Sequence, residues 1–332
     1  LKVDGQWTVT GTSGNLVKMT STTTSQWSVD LVLGQVSVSY ADVYYSDSDI
    51  RICAIYSTGD YNNANWVITT EGSCTINIYG SAPDTTGEVW VAVNGSIQAQ
   101  TGTISTGTWS IEGVNMNSGD PVVVFVHNAD AAGESTAVTV YDGDGDVYNM
   151  VLAVNVLTIG SDDNASVDLT DLDSYQDSDD DDVMHSVASS TLTVDADSAY
   201  SNEKITIKSG NTLTIGGTET LITKNIDITG NLTSGGDSTY TIGGSWTDTG
   251  TFTPSTSTVT FNGTTTGYTI TSTGSSFNNV VFDGSGGGWT CQDTIDINGN
   301  LTVTTSDTSG NGVSLNAQTT TVDGNVTVDT NG

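Results

Sequence analysis

The densest chemistry in this chain is carboxylate. Asp142-Gly-Asp-Gly-Asp146 sets Asp142, Asp144 and Asp146 at alternate positions, with glycines between them that permit tight curvature. Short carboxylates presented this way from a loop are the opening of several calcium sites. The twelfth position counted from Asp142 is Ala153 rather than a bidentate Glu, and no helices are expected to flank the loop, so it is not an EF-hand. Asp177-Ser-Asp-Asp-Asp-Asp182 is denser, and its Asp177, Asp179 and Asp181 form a second candidate set. Asp162, Asp163, Asp168, Asp171 and Asp173 could supply distant ligands. Adjacent like charges cost stability unless cations or water screen them. Calcium is the expected cofactor, and a solvated acidic loop is the competing reading.

Other reactive types are sparse. A polysaccharide-cleaving enzyme needs a basic residue or paired carboxylates in a cleft. Lys204, Lys208 and Lys224 are better placed as partners of nearby Asp, and neither His127 nor His185 lies in a recognisable nucleophile motif. No catalytic residue is assigned, and an enzyme is not expected. Cys53 and Cys74 fall in neighbouring predicted strands and can close a disulfide, which leaves Cys291 as a buried thiol or a link to another chain. No C-x-x-C spacing argues for a cysteine metal site. Tyr44, Tyr45, Tyr56 and Tyr61 cluster in a loop-rich stretch and are the first candidates for stacking on a sugar, whereas Trp7, Trp27, Trp246 and Trp289 read as core or interface.

Charge narrows the partners. Six Lys and Arg face 39 acids, a formal net charge of −33, and no Lys or Arg occurs between Arg51 and Lys204. Such a chain repels nucleic acid and anionic lipid. Its longest purely apolar run, Val122 to Val126, is far too short to span a bilayer, so no membrane insertion is expected. The first residue is Leu rather than Met, which reads as processing or excision from something longer.

The elements that position these residues are strands. Val3-Asp-Gly-Gln-Trp-Thr-Val9 recurs as Ile228-Thr-Gly-Asn-Leu-Thr-Ser234, Ile242-Gly-Gly-Ser-Trp-Thr-Asp248, Ile297-Asn-Gly-Asn-Leu-Thr-Val303 and Val322-Asp-Gly-Asn-Val-Thr-Val328. A Gly or Asn turn followed by period-2 alternation is a strand entry. Irregular repetition of one strand unit is how a β-solenoid is written. The expected fold is all-β. Residues 1–81 form a solenoid-like section, 82–158 an inserted immunoglobulin-like β-sandwich, 159–190 an Asp-rich loop segment, and 191–332 further solenoid-like repeats. A coil of about 25 residues would add about 4.8 Å along the stack.

Thr12-Ser-Gly-Asn-Leu-Val17, Val36-Ser-Val-Ser-Tyr-Ala-Asp-Val43, Asn62-Asn-Ala-Asn-Trp66 and Ser276-Phe-Asn-Asn-Val-Val281 resemble stretches of large, tandemly repeated prokaryotic cell-surface proteins. The middle section, with Trp109-Ser-Ile-Glu-Gly-Val114 and Ser118-Gly-Asp-Pro-Val-Val123, is similar to the immunoglobulin-like or carboxypeptidase-regulatory-like sandwich of that family. The resemblance implies an extracellular, cell-surface module built as a parallel solenoid with an inserted sandwich. One copy of the repeated phrase opens the chain and another nearly closes it. If a second copy followed directly, the step from Val322 to its Val3 would be 13 residues, against 14 from Ile228 to Ile242. The expected function is a structural protein joining head to tail, with Lys2, Val3, Trp7 and Val9 of one copy meeting Val322, Val326 and Val328 of another. The alternative is an adhesin module that binds surface glycans or a host protein.

Overall fold

Thr and Val alternate through most of the sequence with Gly and Asn between the runs, and this pattern builds strands that expose one edge row and bury the other. The computed structural model describes residues 2–3, 7–21, 27–31, 36–59, 64–68, 75–128, 133–143, 145–195, 203–304 and 312–329. Among these, the only α-helix is the short Leu169–Asp173; nearly everything else that is regular is strand. No helix of the described residues is long and apolar enough to cross a membrane. The chain divides into two compact units: Leu1–Ile78 with Ile111–Asp120 and Tyr141–Val147, and Tyr79–Ser110 with Pro121–Val140 and Tyr148–Gly332.

The larger unit holds a three-sided parallel solenoid. Its first side stacks Val156–Ile159, Lys204–Ile207, Asn225–Ile228, Trp246–Asp248, Tyr268–Thr271, Trp289–Cys291 and Val313–Ser314 in that order. The second side runs from Ser166–Val167 through Thr212–Gly217 and Asn231–Gly236 to Thr251–Thr253, then continues as a separate sheet of Ser276–Phe277, Ile295–Ile297 and Thr320–Val322. The third side runs from Thr191–Val194 through Thr220–Thr223, Thr239–Ile242, Thr258–Phe261, Asn279–Phe282 and Leu301–Val303 to Val326–Val328. Each side contributes seven strands, so seven coils are stacked among the described residues. The step from the first coil to the second takes 48 residues on the first side, Val156 to Lys204, and 29 on the third, Thr191 to Thr220; later coils take from 19, Thr220 to Thr239, to 25, Leu301 to Val326.

Register makes the core a set of columns. Leu157, Ile205, Ile226, Trp246, Ile270 and Cys291 succeed one another up the first side, each directly against the next. Leu221, Tyr240, Val259 and Val280 do the same on the third, and all are buried. Trp246 and Trp289 are fully interior, as expected for tryptophans in the repeats, and Trp246 meets Phe252 edge-on at 5.0 Å. Cys291 is a buried thiol whose pKa burial pushes up to about 11. The proposed partners Cys53 and Cys74 lie outside the residues whose side chains are described.

The early end of this solenoid is closed. Glu88–Val93, Pro121–His127 and Ser135–Val140 pair antiparallel, and Ser135–Val140 then pairs parallel with Val156–Ile159, so these strands share one sheet with the first side. The helix sits in the Asp-rich segment, where Asp168 caps it by accepting from Thr170 N at 2.7 Å and Asp171 returns the bond to Asp168 N at 2.9 Å. Its Leu169 and Leu172, with Tyr175 and Val183, join the same apolar core as Phe125, Val138 and Leu157.

The smaller unit is also built from parallel stacks. Trp7–Thr10 pairs with Val36–Ser39, and Val17–Thr20 with Ala41–Tyr44, which pairs in turn with Thr58–Gly59. One of its core clusters joins Val38, Ala41, Val43 and Ala54, with Trp7, Val9, Met19 and Trp27 packed on it.

Candidate functional site

At the late end of the larger unit the columns run out into solvent. Val280 is buried, Leu301 above it is half-buried, and Val326 above that is 58% exposed. The neighbouring column goes from buried Phe282 through Val303 to Val328 at 63% exposed. On the second side, Phe277 and Ile297 are buried while Val322 is half-buried. Three of the expected interface residues are therefore the terminal members of interior columns.

The corners point the same way. Asn279 Oδ1 accepts from Asn300 N at 2.9 Å, and Asn300 Oδ1 accepts from Asn325 N at 2.9 Å, so each corner asparagine binds the backbone of the next coil. Gly324 N donates to Gly299 O at 2.9 Å alongside this ladder. Asn325, its last member, is exposed. Among the described residues no strand pairs with the outer edge of Val326–Val328, and Asn325 is the last member of the corner ladder.

The first coil of the smaller unit has the same gradient. Val9 is half-buried, Val38 against it is 2% exposed, and Ala54 beyond is fully buried. Val17 is 38% exposed against buried Ala41. Trp7 is half-buried; of Lys2 and Val3 the backbone is described, paired with Asp30 and Leu31. The terminal coils also differ in charge, with Lys18 exposed in one and Asp323 and Asp329 exposed in the other.

Among the described residues, none of the expected metal ligands falls in a group of three placed to share an ion. Asp142 is exposed, Asp144 lies outside the described residues, and Asp146 accepts from Asn77 N at 3.0 Å and from its Nδ2 at 3.4 Å. Asp177, Asp179 and Asp181 are all exposed, and Asp179 accepts from Gln176 N at 3.1 Å. Their neighbours Asp180 and Asp182 turn inward instead. His185 is buried and bonded to Leu172 O at 3.0 Å, so its Nε2 carries the proton; burial holds its pKa down to about 4.

A second feature was not visible in the sequence. An open cleft of about 660 Å³ in the larger unit is lined by Tyr79, Tyr148, Asp162, Asn164, Lys208 and Ser209, among others. Tyr79 and Tyr148 stack at 4.9 Å with their planes 8° apart, and Tyr148 is 44% exposed. Asp162 Oδ1 accepts from Tyr148 N at 2.6 Å, and Lys208 Nζ donates to Asn149 O. Burial lowers the Lys208 pKa while Asp162 opposes the shift. Of the tyrosines expected to contact sugar, Tyr56 stacks on Tyr40 at 5.1 Å and Tyr44 lies under Lys18, both in the smaller unit. Tyr61 lies outside the described residues.

Comparison with known proteins returns no counterpart: no family model, no curated protein and no solved structure matches this chain.

Proposed function

We propose that this chain is an extracellular structural module that extends end to end, the last coil of one copy receiving the first coil of the next by parallel strand addition. The observation that carries this reading is the exposure of Val322, Val326 and Val328 as the ends of interior columns on a solenoid whose opposite end is closed. A heterologous contact of this kind does not close on itself and gives an open filament or stalk. Burying three valines contributes about 1.5–3 kcal/mol each, which only matches the low end of the 4–15 kcal/mol cost of association. The backbone ladders on three sides must supply the rest. In this reading the antiparallel strands of 82–158, expected as an inserted sandwich, serve as the cap that gives the module its direction. The same edges would join tandem copies within one longer cell-surface chain.

Calcium in the Asp-rich loops belongs to the proposal as a stabiliser of those loops, and chelation with EGTA is expected to lower the Tm. An unchanged Tm removes calcium from it.

The test of assembly is negative-stain electron microscopy of the purified chain beside Val326→Asp/Val328→Asp. Both side chains are exposed, so the variant should fold. Regular fibres from the unaltered chain and none from the variant are expected; fibres from both would place the joint elsewhere. The stacked tyrosines and polar rim of the cleft favour the second reading, an adhesin module that binds a glycan. A chain that stays monomeric and binds glycans through Tyr148 would put that reading first.

A further inference from the structure

The inward pair of aspartates faces a histidine. His127 ends the strand Pro121–His127, and Asp180 and Asp182 lie in the loop that follows Tyr175. His127 Nδ1 and one carboxylate oxygen from each aspartate all lie within 4.8 Å of one another. Asp180 and Asp182 are close neighbours in one loop, whereas His127 lies more than fifty positions earlier, so the fold brings the histidine to the two aspartates. Asp182 is 3% exposed, and Asp180 and His127 are half-buried.

The contact between His127 and Asp182 is unusual. Nδ1 lies 3.0 Å from Asp182 Oδ2, yet this buried nitrogen makes no hydrogen bond. The contact is an ion pair when the imidazole is protonated, and its geometry is not that of a hydrogen bond. Ligands at about 2.0–2.2 Å from a tetrahedral ion sit about 3.3 Å apart along each edge, which is close to this spacing. The imidazole is held in place by Trp90, stacked on it at 3.7 Å and 19°. Asp182 Oδ2 is fixed by Asn128 N at 2.7 Å, and Asp180 Oδ1 by Asp182 N at 3.2 Å.

We propose that His127, Asp180 and Asp182 form a site for a divalent transition metal of the Zn²⁺ class, with water at the remaining position. One imidazole nitrogen with two carboxylates is a donor set for zinc or its neighbours, whereas Ca²⁺ takes oxygen ligands. Two carboxylates also neutralise the ion's charge. The ion would tie the loop bearing Tyr175 and Val183, which plugs the closed end of the solenoid, to the antiparallel strand beside it.

The experiment uses the full chain stripped of metal by chelator and dialysis, then titrated separately with Zn²⁺, Co²⁺ and Ca²⁺. One Zn²⁺ per chain is expected by calorimetry, with visible d–d absorption of the Co²⁺ form and a Tm that rises with free Zn²⁺. Asp180→Asn and His127→Gln should each weaken Zn²⁺ binding by more than about 100-fold, since even outer-shell partners cost about 10–100-fold. Asp181→Asn, on an exposed neighbour, should leave it unchanged. The half-exposed Asp180 makes D180N the safer of the two for folding, checked by circular dichroism. Stoichiometric binding unaffected by D180N would mean ions scattered over the acidic surface, and the site would fall. No Zn²⁺ binding, or tighter binding of Ca²⁺ than of Zn²⁺, would overturn it as well.

Discussion

Asp248 occupies a place built for isoleucine. Ile207 and Ile228 stand directly below it in their column, and Asp248 is fully buried above them. Its Oδ1 accepts from Gly250 N at 3.0 Å; Oδ2 is buried without a partner of good hydrogen-bond geometry, and Ser275 and Phe252 N nearby favour the charged form. Burial raises its pKa above the usual carboxylate range, and Asp293 nearby adds to the rise. A carboxyl whose folded pKa is raised contributes stability below its unfolded pKa and loses it as pH climbs through the folded value. Asp248→Asn keeps the acceptor for Gly250 and removes the buried charge. It should raise stability at neutral pH by on the order of 1 kcal/mol, within the range of common stabilising substitutions. Denaturant titrations at several pH values check this: the advantage should vanish below the ordinary carboxylate range. An equal gain at every pH would assign the effect to something other than ionisation. The other residue-scale features were less legible in sequence. Asp177, Asp179 and Asp181 are exposed, whereas Asp180 and Asp182, in the turn that buries Val183 and Met184, point inward. Nothing in the order of residues says which parity will point in. Tyr79 and Tyr148 meet across 69 positions, and no local pattern reports such a contact.

At the scale of the element, the recurring phrase is a corner. Ile228 ends a strand of the first side and Asn231 begins one of the second; Ile297 and Leu301 do the same between the second and third. The 14-residue step from Ile228 to Ile242 therefore carries the chain around two sides of one coil, not up one whole coil. The glycine is required by the stacking of corners. A Cβ on Gly230 would lie 2.1 Å from Lys208 O and 2.4 Å from Asn211 O, and one on Gly250 would lie 2.1 Å from Gly230 O. These are backbone atoms held by ladders on both sides, so they cannot step away cheaply. Gly230→Ala should cost about 1–3 kcal/mol, the usual range for overpacking, read as a fall in Tm. No loss would mean that the corner has slack. This is why the solenoid could be read from sequence: the corner glycine and the alternation after it are both imposed by contact with the next coil. The cap obeys no repeat. Its helix spans only Leu169–Asp173 and its loop is aspartate, so the Asp-rich segment reads as loop although Leu169, Leu172, Tyr175 and Val183 enter the core.

For the molecule as a whole, the question is what a net charge of −33 would do to the proposed end-to-end assembly. Copies that approach end to end repel one another over a distance set by salt, about 30 Å at 0.01 M and about 8 Å at 0.15 M. Against this stands a local complement, because Lys2 and Lys18 are two of only six basic residues and both belong to the first coil. Asp323 and Asp329, both exposed, belong to the last. Exposed pairs of this kind are worth about 0–1 kcal/mol each and are themselves screened, so they fix orientation more than they drive association. The apolar column ends at Val322, Val326 and Val328 are insensitive to salt at these concentrations. Raising salt therefore weakens the long-range repulsion more than the contact. The critical concentration for fibres should fall between 0.01 M and 0.15 M NaCl, measured by sedimentation of the polymer. A rise would show that the lysines and aspartates hold the joint, and Lys18→Ser would then abolish fibres at low salt where Val326→Asp/Val328→Asp did not.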